Sequence, residues 1–215
     1  MGIIRGGVLG GFRNKTGSVV GASWRNLDVI RGLPKISSKP ATQPQIDQRL
    51  KFGLVTSFLS LISEAIDVGY NIGSGSTSAM NEAVSYHLKE AVTGTSPDFT
   101  LDYTKIRFSS GKLNVPSSYS VAATTPAKID LSWNLDGTDS KYKDATDTIN
   151  VLVYNPSRGQ FVTLMAAAPR SAQTYVLQLP PPFSGDEVHC YFSFTSVKKK
   201  ALHSNSVYMQ SITVL

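Results

Sequence analysis

The chain has 215 residues, 41% of them hydrophobic and 17% charged, a composition that suits a folded protein with a real core and excludes a disordered one. Its net charge of +6 lies entirely in the first quarter, where residues 1–52 carry nine Lys or Arg against two acids; such asymmetry suits nucleic acid, an acidic surface or the acidic part of a neighbouring copy. No apolar run is long enough to cross a membrane, glycines and Arg13 break any secretory core near the start, and the single cysteine, Cys190, excludes an internal disulfide framework.

Residues 1–36 read as a basic β arm of short extended pieces punctuated by glycine. Lys15 and Thr16 invite comparison with a phosphate loop, but Asn14 and Leu9 stand where that loop needs its two glycines, and no helix follows. Val19, Val20, Ala22 and Trp24, then Leu27, Val29 and Ile30, supply strand material, with Arg25 and Asn26 as a turn. These apolar residues are too few to build a core, and an isolated hairpin is marginal in water. The arm is therefore expected to borrow a surface, either from the rest of its own chain or from another chain by strand addition.

A proline-punctuated linker over residues 34–44 leads into the helical pattern. Pro44 suits a first helical turn, and Ile46, Leu50, Leu54, Phe58, Leu61, Ile62 and Ala65 recur at helical spacing up to Gly69. A second helix over about 78–92 places Met80, Val84, Leu88 and Ala91 on one side, so that residues 37–96 form linker and helical hairpin.

From Pro97 the apolar period falls to two. Seven candidate strands follow, at 105–108, 128–135, 148–154, 160–165, 174–179, 187–195 and 207–214, with turn residues between them. The expected fold is thus α+β: an N-terminal β arm and helical hairpin followed, over residues 97–215, by an antiparallel β-sandwich of immunoglobulin or fibronectin-III type. Trp133 has the parity of a core tryptophan, and Tyr191 resembles the corner tyrosine of such domains.

Longer motifs suggest a family. Gly17-x-Val19-Val20-Gly21-x-x-Trp24-Arg25, Val29-Ile30-Arg31-x-x-Pro34-Lys35 and Pro40-x-Thr42-x-x-Gln45-x-x-x-Arg49-x-x-Phe52 resemble the opening of a family of uncharacterised Bacteroidota proteins. The resemblance continues through Tyr154-Asn155-Pro156, Ser184-Gly185-Asp186-x-Val188-His189-x-Tyr191 and Ser204-Asn205-Ser206-x-Tyr208, with Lys39 standing where the pattern has Asn. As a domain of unknown function, the family implies an architecture and no activity. Similar openings in mobile-element and phage-like proteins imply a structural or assembly role.

Catalytic chemistry is not legible. There is no G-x-S-x-G elbow; His87, His189 and His203 sit in unlike contexts, and His189 and Cys190, adjacent on one strand, face opposite ways. The loop from Asp136 to Asp147 has the length of a calcium loop, but Lys141 replaces its central glycine and Asp147 its terminal Glu. Neither cofactor nor metal is expected.

These readings lead to a non-enzymatic structural protein that self-assembles with copies of itself into a fibre, sheath or virion-like layer. Synthesis is expected in the cytoplasm without a signal peptide, followed by incorporation into a particle. Val19, Val20, Trp24, Val29 and Ile30 are the candidate assembly contacts, with Arg25 and Arg31 fixing register. Arg13, Lys15 and Lys35 are candidate nucleic-acid contacts under the alternative of a basic nucleic-acid-binding arm, for which Lys198, Lys199 and Lys200 add a basic loop. A recognition or adhesion module built on the sandwich loops is the remaining alternative.

Overall fold

The structure is a computed structural model that describes residues 3–4, 12–24, 27–35, 38–70, 77–137 and 139–215, the side chains of residues 3, 4, 23 and 24 excepted. It divides into two compact units, Met1–Thr42 and Gln43–Leu215. The helices expected to form a segment of their own thus share a unit with the sandwich.

The first unit is an antiparallel sheet in the order β1 (Ile3–Ile4), β2 (Phe12–Thr16), β3 (Val19–Trp24), β4 (Leu27–Gly32). Gly17 at φ +58° turns β2 into β3 across two residues, the left-handed backbone that such hairpin turns demand.

The second unit opens with α1 (Gln43–Ser60), α2 (Ser63–Gly69) and α3 (Ala79–Glu90). The single helix expected up to Gly69 is in fact two, bent by 87° at residues 61–62. Its last turns carry hydroxyls that bond back to the helix: Thr56 Oγ1 donates to the Phe52 carbonyl at 2.7 Å, and Ser57 and Ser60 donate to those of Gly53 and Ser57 at 2.8 Å each. Such back-bonding bends helices. The burial of Ile62, Ala65 and Ile66 then fixes the new direction. No single described helix is long and apolar enough to cross a membrane. Ser78 caps α3 by accepting the Asn81 N–H.

A hairpin not expected from the sequence follows α3, formed by β5 (Val92–Thr95) and β6 (Asp98–Leu101). The expected strand at 105–108 is also corrected. Residues Tyr103–Lys105 form a 3-10 turn, and Ile106 and Phe108 are buried with the helices. Their apolar character reflects that burial, not a place in a sheet.

The sandwich begins instead at β7 (Tyr119–Ala122), followed by β8 (Lys128–Trp133), β9 (Thr148–Asn155), β10 (Gln160–Pro169), β11 (Thr174–Gln178), β12 (Glu187–Thr195) and β13 (Val207–Thr213). Three strands form one sheet in the order β11-β8-β7, and four form the other in the order β10-β9-β12-β13. This is an antiparallel fibronectin-III-like sandwich in an α+β chain.

The four-stranded sheet is buried on both faces. Ile149, Val151, Val153, Val188, Cys190, Phe192 and Phe194 meet Ile129, Leu131 and Trp133 of the opposite sheet. The alternate residues Leu152, Tyr154 and Tyr191 meet Phe58, Ile66, Ala83 and Phe108 on the helical side. Period-two alternation thus supplies two cores from one pair of strands. Trp133 is buried as expected, its Nε1 donating to the Arg170 carbonyl at 2.9 Å. Tyr191 is not a corner tyrosine: its parity turns it toward the helices, where its hydroxyl reaches the Tyr103 carbonyl.

Candidate assembly interface

The arm is built by register. Lys15 pairs with Val20, and Val20 with Arg31, so these three form one cross-strand row. Ala22 pairs with Val29 on the same face of the sheet, while Val19, Gly21 and Ile30 belong to the other. A Cβ on Gly21 would lie 1.9 Å from the Phe12 carbonyl oxygen, so only glycine fits at this crossing. The pairing continues past β4, with the Leu33 N–H donating to the Ser18 carbonyl at 2.8 Å.

This sheet exposes what a folded unit normally covers. Leu27 is 59% exposed, Val29 42%, Ile30 65% and Leu33 41%. Every residue of β4 is exposed, and among the described side chains of the arm none belongs to a hydrophobic core. A single sheet layer has no opposing layer to bury its faces.

The structure therefore places the expected contacts as follows. Val29 and Ile30 are exposed, Val19 and Val20 half-buried, and the four divide between the two faces of the sheet. Arg13, Lys15, Arg31 and Lys35 are all exposed, and no ion pair engages them among the described residues. Trp24 lies in β3 with its side chain outside the described residues, and Arg25 lies outside them altogether. Leu27 and Leu33 were not among the expected contacts, although their alternation with Val29 was readable.

The second unit carries an apolar surface of its own. Ile46, Leu50 and Leu61 are exposed on α1 and at its end. Their spacing joins Leu54 and Ser57 in one stripe. It runs into a groove of about 360 Å3 lined by Leu54, Ser57, Phe58, Leu61, Phe99, Thr100, Leu101, Tyr103 and Tyr154. Of its lining, Phe58 stacks on Tyr103 and meets Tyr154 edge-on, and Phe161 packs against both Phe58 and Tyr154. Arg49 flanks the stripe near its start, and Glu64 and Asp67 are exposed just beyond its end.

The remaining polar groups are accounted for by packing. His189 and Cys190 do face opposite ways: Cys190 is buried in the sandwich core, and burial pushes its thiol up to about 12. His189 lies near Tyr208, with Nδ1 3.1 Å from the phenol oxygen. In the loop expected to remain free of calcium, Asp136 accepts from the Ser117 N–H at 2.5 Å, and the Lys143 ammonium donates to the Asp136 carbonyl. Lys198 pairs with Asp144 at 2.5 Å, which holds that carboxyl far below its usual range. No group of three His, Cys, Asp or Glu among the described residues is placed to hold a metal. The buried pair beside this loop was not legible from local pattern: Arg170 and Asp147 are each 1% exposed, 3.6 Å apart, with the guanidinium 4.0 Å above the Phe194 ring.

A family model matches residues 11–210, spanning the arm, the helices and the sandwich. The chain belongs to DUF6266, a family of unknown function. No curated protein matches it. Among solved structures it is similar to the fn3 domain of the human collagen alpha-1(XX) chain, at 18% identity and a TM-score of 0.36, over 49% of this chain and 89% of that one.

Proposed function

We propose that the chain is a non-enzymatic structural protein that assembles with copies of itself into a homopolymer through its N-terminal arm. The supporting observation is the arm's one-layer sheet, which leaves Leu27, Val29, Ile30 and Leu33 in solvent. Burying each such side chain is worth ~1.5–3 kcal/mol, and contiguous exposed apolar patches mark interaction surfaces. A neighbour's surface supplies the missing layer, while backbone groups on the outer edge of β4 remain open to strand addition. Donation from one copy to the next is head-to-tail, which closes into rings or runs on as filaments. A fibre, sheath or virion-like layer is such a product, and the opening motifs similar to Bacteroidota and phage-like proteins favour it.

Light scattering and negative-stain imaging of the intact chain and of a version lacking residues 1–36 test this reading. Large regular particles from the intact chain alone support it; an intact chain that stays monomeric at every concentration and salt overturns it.

A nucleic-acid-binding arm is the second reading, favoured by Arg13, Lys15, Arg31 and Lys35 standing exposed without ion pairs among the described residues. It requires DNA or RNA affinity that falls steeply with salt, with a slope reduced when Arg31 and Lys35 are neutralised. Assembly indifferent to nucleic acid eliminates it.

A further inference from the structure

We propose that the outer edge of β4 pairs with the same edge of a second copy, antiparallel about a two-fold axis at Ile30, so that two arm sheets join into one. This inference goes beyond the assembly reading. It uses the edge of the arm sheet, leaves the faces to the neighbour which that reading calls for, and adds a two-fold contact to a head-to-tail one.

β4 is the end strand of its sheet. Its ladder with β3 runs without a register shift from the Val19–Gly32 pair to the Trp24–Leu27 pair, and the Leu33 N–H donates inward to the Ser18 carbonyl. Bonded and non-bonded pairs alternate along an antiparallel ladder. Leu33, Arg31, Val29 and Leu27 therefore turn their backbone groups toward β3, and Gly32, Ile30 and Asp28 turn theirs outward. This outer edge has neither a proline nor a bulge, two devices that otherwise keep edges apart.

Symmetry and charge select the register. A two-fold axis normal to the sheet sets like faces side by side, so each residue opposes one of its own parity. Centred on Ile30, the pairing sets Ile30 against the second copy's Ile30 and Asp28 against its Gly32, so the outward N–H and C=O groups of all three residues are matched. Centring on Asp28 or on Arg31 sets like charges directly opposite, which is destabilising. Centring on Val29 leaves Gly32 and Leu33 beyond the end of the partner strand.

The side chains match in the same register. Leu27 opposes the second copy's Leu33, Ile30 opposes its counterpart, and Val29 lies against the stem of Arg31. The large apolar side chains exposed in the arm, Leu27, Val29, Ile30 and Leu33, thus all meet apolar surface. A strand cannot pair with itself within one chain, so this partner is a second copy. The end strand β11 offers a rival edge, on which Ile30 would meet the exposed Val176. That edge is shorter, however, and Leu33 would fall opposite Gln173, where a φ of +59° has already ended the strand.

A joint of seven residues a side is smaller than the roughly 20–30 of a standard interface, so a covalent trap suits it. The axis brings position 30 onto itself with Cα atoms ~5.5 Å apart, within disulfide reach, while the native Cys190 is buried. In a glutathione redox buffer, the full-length Ile30→Cys chain is expected to form a disulfide dimer about tenfold more readily than Val29→Cys or Asp28→Cys, which lie two and four strand rises from their counterparts. Ile30→Lys and Ile30→Glu, at this exposed position, are each expected to keep the melting temperature and weaken pairing about tenfold, and their equimolar mixture to recover it.

A dimer trapped best at Val29→Cys or Asp28→Cys, or equally at all three positions, overturns this joint. So does a link between Ile30→Cys and Val176→Cys chains when Ile30→Cys alone gives none. Large particles whose Ile30→Cys variant forms no cross-link overturn the joint and leave the assembly reading standing. A chain that stays monomeric and uncross-linked at every concentration overturns both.

Discussion

The Tyr191 hydroxyl donates to the Tyr103 carbonyl at 2.6 Å, and this bond ties the sandwich to the layer that carries the α1 groove. Tyr191 is fully buried, and desolvation pushes its phenol well above the usual range, so it remains a neutral donor at any working pH. Tyr191→Phe keeps the ring and removes the donor. A loss of roughly 1 kcal/mol is expected, because the Ile106 N–H still reaches the same carbonyl at 3.4 Å. Tyr191→Ala also removes the ring and costs about 3–5 kcal/mol. Urea unfolding of the two variants checks the difference; equal losses would contradict this division between bond and ring.

The buried pair at the end of the sandwich gives a second prediction. Arg170 Nη2 donates to the Asn114 carbonyl at 2.7 Å, and Asp147 accepts from the Asp144 N–H at 2.8 Å. Yet Asp147 Oδ1 and Arg170 Nε and Nη1 make no hydrogen bond. Asp147→Ala leaves the guanidinium buried without its counter-charge and is expected to cost about 3–5 kcal/mol. Adding Arg170→Met removes that stranded charge, so the double variant should be more stable than Asp147→Ala alone. A double variant that loses the sum of the single effects would show the two side chains to be uncoupled.

The histidines set the response to mild acid. His87 is fully buried, Nδ1 donating to the Ala83 carbonyl at 2.7 Å and Nε2 accepting the Arg107 N–H at 3.1 Å, so its neutral form satisfies both nitrogens. Burial lowers the pKa of His87, and also of His189 and His203, below the usual 6.5. Above about 6.5 all three are neutral, folded or unfolded; below it the unfolded chain binds more protons, and stability falls as pH drops toward the folded values. The urea midpoint should therefore decline from pH 8 to pH 5, and less so in His87→Gln. A flat profile, or one that rises toward acid, would contradict this assignment.

Much of the fold was legible because it follows alternation. Ile129, Leu131 and Trp133 repeat at period two in a strand buried on one face, and the turn residues around them mark its ends. The first sandwich strand was not legible, since Tyr119-Ser120-Val121-Ala122 buries only Val121 and looks like loop. Ile106 and Phe108 imitated a strand because they are buried under helices. α1 misled for a related reason. Ile46, Leu50, Leu54 and Leu61 form one apolar stripe, while Val55, Leu59 and Ile62 form another on the opposite side. Only the latter packs inward, and helical periodicity alone does not say which stripe is core. For the arm, local pattern was enough to give strands and a coreless layer. Cross-strand register was needed to separate Val20 and Val29 from Val19 and Ile30.

Hydrogen exchange of the arm amides across a dilution series tests the central claim most directly. If the sheet gains its missing layer from a neighbour, protection across residues 12–33 should rise with protein concentration, together with sedimented mass, while protection of β9 and β12 stays constant. Protection of the arm that is full and independent of concentration in a monomeric chain would contradict the account.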